Sequence, residues 1–395
     1  MADKRPETMT GQAEHLAIQM RTAKQSRLSD MITAAVFAAL LAFFALAILV
    51  TPDDAFSEQE NRVLQRRPQL TLGRLIEGKF TAEITGYYAD QFFARDHFVG
   101  LKGMVEIALM KRENNGVVLA KDGYLIQRGD YPDVTMLDEN IASINRFAGA
   151  LTIPFTLAVA GRPVDALGNY LPAGFPQELS DALWERLPDC VDLLKPLQNR
   201  EGMYYKTDHH WTTLGAYYAY AEIMRSFGQE PQPLASFTAQ TASDAFFGTT
   251  WSSAGMKWVK PDTLDFFRYD GDREYTTTIR DTGENFEGFY QWENLEKRDQ
   301  YSAFIGGNHA RIDVMKNDSG TRPKLLLIKD SFAHSVVPFL AYHYDLVIID
   351  LRYFSDSPIR LAEREGVDRV LILNYIQSLV ENSGFALLNY GLLRS

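Results

Sequence analysis

Leu325-Leu326-Leu327-Ile328-Lys329-Asp330-Ser331-Phe332 is the stretch from which the rest of the chain can be read. An unbroken aliphatic run suits a strand buried on both faces, the kind found in parallel sheets. The run ends in a polar turn that carries a serine, and Ala333 to Leu340 then reads as a helix. In open parallel sheets, functional groups gather beyond the carboxyl ends of the strands. A serine at a strand–turn–helix junction has its hydroxyl beside free helix N–H groups, which stabilise a developing oxyanion. The same residues have a plainer reading: Asp330 or Ser331 caps the helix, which both residue types do well.

A serine hydroxyl is a poor nucleophile at neutral pH and needs a base. The chain has 7 histidines. His97, His309, His334 and His343 are isolated, and His15 precedes a long apolar run at the N-terminus. His209 and His210 sit beside an acid in Tyr204-Tyr205-Lys206-Thr207-Asp208-His209-His210-Trp211-Thr212. In an extended or turn backbone, residues i and i+2 point the same way. Asp208 and His210 then share a face while His209 points away. The carboxylate fixes the imidazole tautomer, and His210 takes the proton from Ser331 if the two stretches meet. Two other readings stand beside this one. The histidines form a structural pair, or the cluster binds a metal. Adjacent residues do not easily face one ion, and no second Cys, His or Asp cluster completes a ligand set, so no metal is expected.

The composition of the 395 residues is globular, with 46% hydrophobic and 12% aromatic residues. A net charge of −11 without a long basic run argues against a nucleic-acid partner. One cysteine, Cys190, makes no internal disulfide and reads as a small packed residue.

Residues 1–30 are polar and mixed in charge, a short cytoplasmic tail by the positive-inside rule. Met31 to Val50 then runs without a charge, long enough to cross a bilayer as a helix. Asp53, Asp54, Glu58 and Glu60 follow, so the remainder is expected outside the cell membrane, held by a single-pass anchor. The alternative is a cleaved signal peptide, for which Ala45-Leu46-Ala47 supplies a small-x-small pattern. Residues 51–75 read as an extended linker, and residues 76–395 as one extracytoplasmic domain.

Within that domain, Leu75 to Met110 has helical spacing. Val117–Ala120 and Tyr124–Ile126 flank Lys121-Asp122-Gly123 as a hairpin. Helices are predicted over Ile141–Ala150, Leu179–Lys195 and Leu214–Phe227, and a buried strand over Leu151–Ala160. Residues 235–300 are rich in aromatics and threonine and read as an insertion or lid more than as core. Trp251 and Trp258 in this segment, with Trp211, are candidates for stacking on sugar rings; packing a small subdomain is the alternative use. Lys324–Ile328, Leu346–Ile349 and Val370–Leu373 alternate with helical runs, which predicts an α/β fold with a parallel sheet covered on both faces. Phe304-Ile305-Gly306-Gly307-Asn308 is a loop able to approach a ligand closely.

Taken together, Asp208-His209-His210-Trp211, Gly306-Gly307-Asn308 and Asp330-Ser331-Phe332 resemble the DHHW family of extracytoplasmic bacterial proteins, itself similar to the SGNH-like alginate O-acetylation proteins. Phe56-Ser57-Glu58-Gln59-Glu60-Asn61-Arg62 and Asp90-Gln91-Phe92-Phe93-Ala94-Arg95-Asp96 extend the resemblance. It implies an SGNH-like three-layer sandwich around a central parallel sheet, with Ser331 as nucleophile, His210 as base and Asp208 as its orienter. It also implies an oxyanion hole from the Ser331 N–H and Asn308. The serine follows the Asp-His pair, as in the alginate relatives, and Lys329 stands where the usual GDS signature has glycine. The implied activity is an O-acetyltransferase or esterase on cell-surface polysaccharide, needing no cofactor, with a membrane protein as acyl donor if the enzyme transfers. The reading from a different class is a non-catalytic carbohydrate-binding or assembly component that uses the aromatic segment Trp251–Trp292.

Overall fold

A computed structural model describes residues 9–57, 62–129, 134–175, 181–318 and 320–392. They fall into two compact units, one of residues 9–57 and 62–98, the other from 99 onward.

The first unit begins with α1 (Met9–Val50), 42 residues of continuous helix that extend the predicted apolar span well toward the N-terminus. Its Ser26–Val50 portion is long and apolar enough to cross a membrane. Three helices follow: α2 (Leu72–Ile76), α3 (Lys79–Asp90) and α4 (Arg95–Ala108), the last crossing into the second unit. Gly78, with φ 72°, is the left-handed break that separates α2 from α3 within the predicted helical region.

Residues following α1 do not lead away as an extended linker. Tyr87 donates from its hydroxyl to Asp53 at 2.8 Å, and the Asp54 amide donates to Gln91 at 2.9 Å. Arg62 grips Asp90 through two nitrogens at 2.9 and 2.5 Å, and the Gln65 amide adds a third donor at 2.8 Å. Arg62's hydrogen bond is the main force that pulls the Asp90 carboxyl down to about 2. The first half of Asp90-Gln91-Phe92-Phe93 thus clamps the chain that leaves the anchor. Of the Phe56–Arg62 motif, Glu58, Gln59, Glu60 and Asn61 lie outside the described residues; Phe56–Ser57 pairs antiparallel with Arg62–Val63.

The second unit is built on an eight-stranded sheet. Its strands are β1 (Phe155–Ala160), β2 (Val191–Asp192), β3 (Tyr275–Ile279), β4 (Asn285–Glu287), β5 (Arg311–Lys316), β6 (Lys324–Lys329), β7 (Asp345–Ile349) and β8 (Arg369–Tyr375). The spatial order is β4-β3-β5-β7-β6-β8-β1-β2. From β7 to β2 every pairing is parallel; β5, β3 and β4 extend the sheet antiparallel. The expected parallel core is therefore present inside a mixed sheet.

Side chains of the central strands alternate between two cores, as a period of two requires. Leu325, Leu327, Leu371 and Leu373 face one core with α6 (Thr213–Ser226) and α8 (Val337–Ala341); Leu326, Ile328, Val370 and Ile372 face the other with α5 (Val134–Ala150), α9 (Pro358–Glu365) and α10 (Ile376–Glu381). This is the three-layer α/β sandwich the aliphatic runs predict.

Two predicted elements differ. Leu179–Lys195 is helical only over Asp181–Trp184 within the described residues. Pro188 stops a helix there, and Val191–Asp192 joins the sheet edge. Residues 235–300 are divided: part of the segment joins the central sheet and its core, and part forms a separate two-stranded pair that is mostly exposed along Thr238–Phe246. Tyr275–Ile279 and Asn285–Glu287 are sheet strands, Thr238–Phe246 pairs with Asp262–Arg268, and Phe266, Phe289 and Tyr290 are buried. Between the paired strands lies α7 (Thr249–Ala254).

Candidate active site

The turn after β6 and the turn before α6 meet at the carboxyl end of the sheet. Tyr204 and Trp211 form an antiparallel bridge, and the Tyr205 amide donates to the His210 carbonyl, so residues 206–210 are the tip of a tight loop. Asp208 Oδ1 accepts from the His210 amide at 2.9 Å, an Asx turn that aims the acid back at its own neighbour's ring. The same oxygen lies 2.5 Å from His210 Nδ1. On the far side of the ring, His210 Nε2 lies 2.8 Å from Ser331 Oγ. Residues more than a hundred positions apart thus form one continuous hydrogen-bonded line.

Each member is braced. Asp208 Oδ2 accepts from the Thr249 amide at 2.7 Å and the Thr249 hydroxyl at 3.1 Å, at the first turn of α7, where helix N–H groups favour an anion. Gly248 makes that approach possible: a Cβ there would stand 2.2 Å from Asp208. Asp262 holds the loop from below, accepting from the amides of Lys206 and Thr207 at 2.9 and 2.7 Å. The His210 ring stacks on Tyr301, with centroids 4.1 Å apart and planes 12° apart. Burial opposes ionisation of Asp208, but the two imidazoles and the hydrogen bonds from His210 outweigh it and hold the carboxyl far below its usual range.

Around the serine, the two local roles separate. Asp330 is the cap: its Oδ1 accepts from the Phe332 amide at 2.9 Å, and its Oδ2 accepts from the Tyr375 amide at 2.7 Å, tying the turn to the end of β8. Ser331 heads a short 3-10 turn and keeps its hydroxyl for His210. The predicted helix from Ala333 is broken, since α8 starts only at Val337. Phe332 stacks on Tyr375 at 4.5 Å beneath the site.

Other predicted residues have different surroundings. Trp211 does not present a face for sugar: it is fully buried, and its indole N–H donates to Ser335 Oγ at 3.0 Å. Trp251 packs on Phe247 at 4.4 Å with the Lys257 ammonium 3.8 Å over its ring, and lines a surface pocket with Glu296, Arg298 and Gln300. Trp258 is 39% exposed. Asn308 is exposed, and its Oδ1 accepts from Arg352 at 3.1 Å. Gly306 and Gly307 have φ values of 82° and 96°, so the turn itself requires them. Asp208, His209 and His210 bring potential ligand atoms within 4.8 Å of one another. Both ring nitrogens of His210 are already engaged by Asp208 and Ser331, and His209 Nδ1 is engaged by Thr249 at 2.7 Å.

Thr249, Gly248, Asp262 and Tyr301 complete the site and were not indicated by sequence. Gly248-Thr249-Thr250 is a helix-start pattern, but nothing in it points to an acid 41 positions earlier.

Strand order and flanking helices define a three-layer α/β fold, which this chain shares with the solved structures named below. Residues 189–349 match the family model described as "DHHW protein", and the chain is DHHW-like over that stretch, as its Asp208-His209-His210-Trp211 run indicates. A DHHW family protein from Eubacterium siraeum superposes with a TM-score of 0.60 at 21% identity, covering 70% of this chain and 96% of that one. Bacillus cereus PatB1, solved with a sulfonyl adduct, superposes at 0.56 and 21% identity, covering 68% and 97%. Among curated proteins, "Probable alginate O-acetylase AlgJ" of Pseudomonas aeruginosa is 22% identical over 159 residues. That match covers 36% of this chain and spans 41% of the relative's length.

Proposed function

We propose that this protein is an extracytoplasmic serine acyltransferase that moves O-acetyl groups onto a cell-surface polysaccharide. The observation that carries this reading is the line Asp208 Oδ1–His210–Ser331 Oγ, with contacts of 2.5 and 2.8 Å. Both distances are within the reach needed for direct proton transfer.

In this mechanism Ser331 Oγ attacks the acyl carbonyl while His210 Nε2 takes its proton. Asp208 keeps the Nδ1–H directed at itself and stabilises the imidazolium. The tetrahedral oxyanion is received by the Ser331 N–H, with Asn308 as the second proposed donor. Its collapse expels the donor's leaving group, which takes the proton from His210, and leaves an acyl-serine. A sugar hydroxyl then attacks that ester as His210 accepts its proton, and Ser331 is regenerated. Water in place of the sugar gives esterase activity. The polysaccharide class is supported by the AlgJ relative; an acyl-donor protein in the membrane is part of the proposal. No step requires a cofactor.

The apolar helix is proposed as a retained anchor. Within Ser26–Val50, Phe44, Ala47 and Ile48 are the positions withdrawn from solvent. A cleaved signal would leave their packing partners bare.

The test is reaction of the full chain with a fluorophosphonate probe and with p-nitrophenyl acetate, with glycan acceptors added to distinguish transfer from hydrolysis. Labelling and acetate release are expected, falling by about four to six orders of magnitude in Ser331→Ala and His210→Ala. A folded protein that neither labels nor turns over would favour the carbohydrate-binding role instead.

A further inference from the structure

The anchor helix is packed where it would lie within the bilayer. Phe44, Ala47 and Ile48 occupy one face of α1 by their i, i+3, i+4 spacing. Phe92 stacks on Phe44 with centroids 5.1 Å apart, and Phe98 meets Phe44 edge-on at 5.8 Å. Phe93 meets Phe43 edge-on at 5.9 Å. Phe44 comes six residues before Val50, the last residue of the apolar run. At about 1.5 Å per residue, that is roughly 9 Å back along the helix axis. Rings touching Phe43 and Phe44 therefore sit at the same depth.

We propose that the turn between α3 and α4, with Phe92 and Phe93, together with Phe98 at the start of α4, is a second membrane-binding element, inserted into the acyl region of the leaflet on the Val50 side. This rests on the reading of α1 as a retained span. The occupant of the apolar surface is lipid hydrocarbon, because the surface is continuous with the span itself. Interfacial elements bury their apolar faces about 5–10 Å deep, which matches. Phe93 and Phe98 remain 37% and 43% exposed on the protein, leaving ring surface for lipid to cover.

Part of the backbone here is satisfied within the protein. Lipid tolerates only backbone groups satisfied within the protein. The Gln91 amide donates to the Tyr87 carbonyl, the Arg95 amide to Phe92, and the His97 and Phe98 amides to Ala94. Arg95 folds its guanidinium back to the Ala89 carbonyl at 3.0 Å, as a long cation at a membrane surface does. Asp90 and Gln91 turn instead to Arg62 and Asp54, on the chain that has left the span.

The experiment uses the full chain in phosphatidylcholine proteoliposomes, with Cys190→Ser removing the native thiol. A nitrobenzoxadiazole label is placed at Leu41→Cys in the span, at Phe93→Cys, at Phe98→Cys and at the exposed Tyr390→Cys. Emission is read with and without lipids bearing a nitroxide high on the acyl chain. Positions 41, 93 and 98 are expected to lose most of their emission, while position 390 keeps its own. If position 41 is quenched and positions 93 and 98 behave like 390, the proposal falls and the anchor stands. If position 41 is also unquenched, the anchor reading falls and the proposal falls with it.

Discussion

The Asp208–His210–Ser331 line and the Lys329–His334–Asp350 network are made from similar parts on the same end of the same strand, yet their surroundings differ. Both join an acid, an imidazole and a third polar group. In the first, His210 has a partner on each ring nitrogen, and Ser331 stays partly open to solvent. In the second, Lys329 donates to His334 Nε2 at 2.8 Å and to Asp350 at 3.3 Å, with both ends of the ion pair buried. His334 Nδ1 has no hydrogen-bond partner among the described residues. Burial first, then the neighbouring charge of Lys329, drives the His334 pKa far below its usual value, so this ring is neutral and serves as an acceptor. Arg352 bonds Asp350 from outside at 2.6 Å and reaches Asn308. Under the proposed mechanism, what separates the reactive imidazole from the structural one is access and the identity of the second partner. This also explains Lys329 in place of a glycine: its side chain goes into the interior beneath the turn and leaves the Ser331 face uncrowded.

That contrast can be broken in order of expected effect. Asp208→Asn removes the charge that selects the His210 tautomer and turns one buried acceptor into a donor; turnover should drop by about 10⁴-fold, and the thermal midpoint should fall as well. Gly248→Ala drives a methyl into Asp208 and moves the acid without altering any reacting group. A loss of about 10²-fold in kcat is expected, the cost of a displacement of about 1 Å in such arrays. Lys329→Met should do the reverse. Denaturant titration should show about 1–3 kcal/mol lost as His334 and Asp350 each lose a buried donor, while activity per folded molecule stays within about tenfold. A Lys329→Met protein that is stable but inactive would place the network inside the chemistry.

A smaller effect concerns pH. Burial first, then the charge of His210, lowers His209 to about 4 from its usual 6.5. Between those values the unfolded chain binds a proton that the folded one refuses. The stability His209 contributes is therefore complete above pH 6.5 and lost as pH falls toward 4. His343, lowered to about 4 by burial, acts in the same direction, whereas Asp262 and Asp299, raised by burial, oppose it at the acid end. His209→Gln should flatten the decline in urea midpoint between pH 7 and 5, and an unchanged decline would locate it elsewhere.

What could be read in advance follows the range of the interactions. The aliphatic run of β6, the serine turn and the i, i+2 relation of Asp208 and His210 are local and were legible. Tyr275-Thr276-Thr277-Thr278-Ile279 also carries a local signal, alternating buried and half-buried residues, but its aromatic surroundings masked a strand that extends the central sheet. Trp211 was not legible. An indole beside a dyad looks alike whether it stacks on sugar or packs inside, and the deciding contact comes from Ser335. Thr249, Tyr301 and Asp262 reach the site only through tertiary folding. The segment after the anchor misled because Asp53, Asp54 and Arg62 look solvated until Tyr87, Gln91 and Asp90 are placed beside them.

The central claim is that Ser331 becomes an ester during turnover. The direct measurement is peptide mapping by mass spectrometry after rapid acid quench of the full chain mixed with an activated acetyl donor. One acetyl group on the peptide containing Ser331, present in the wild type and absent in His210→Ala, is the expected result. Turnover of the donor with the acetyl group on another residue, or with none trapped even when Gly248→Ala slows the site, would contradict the account.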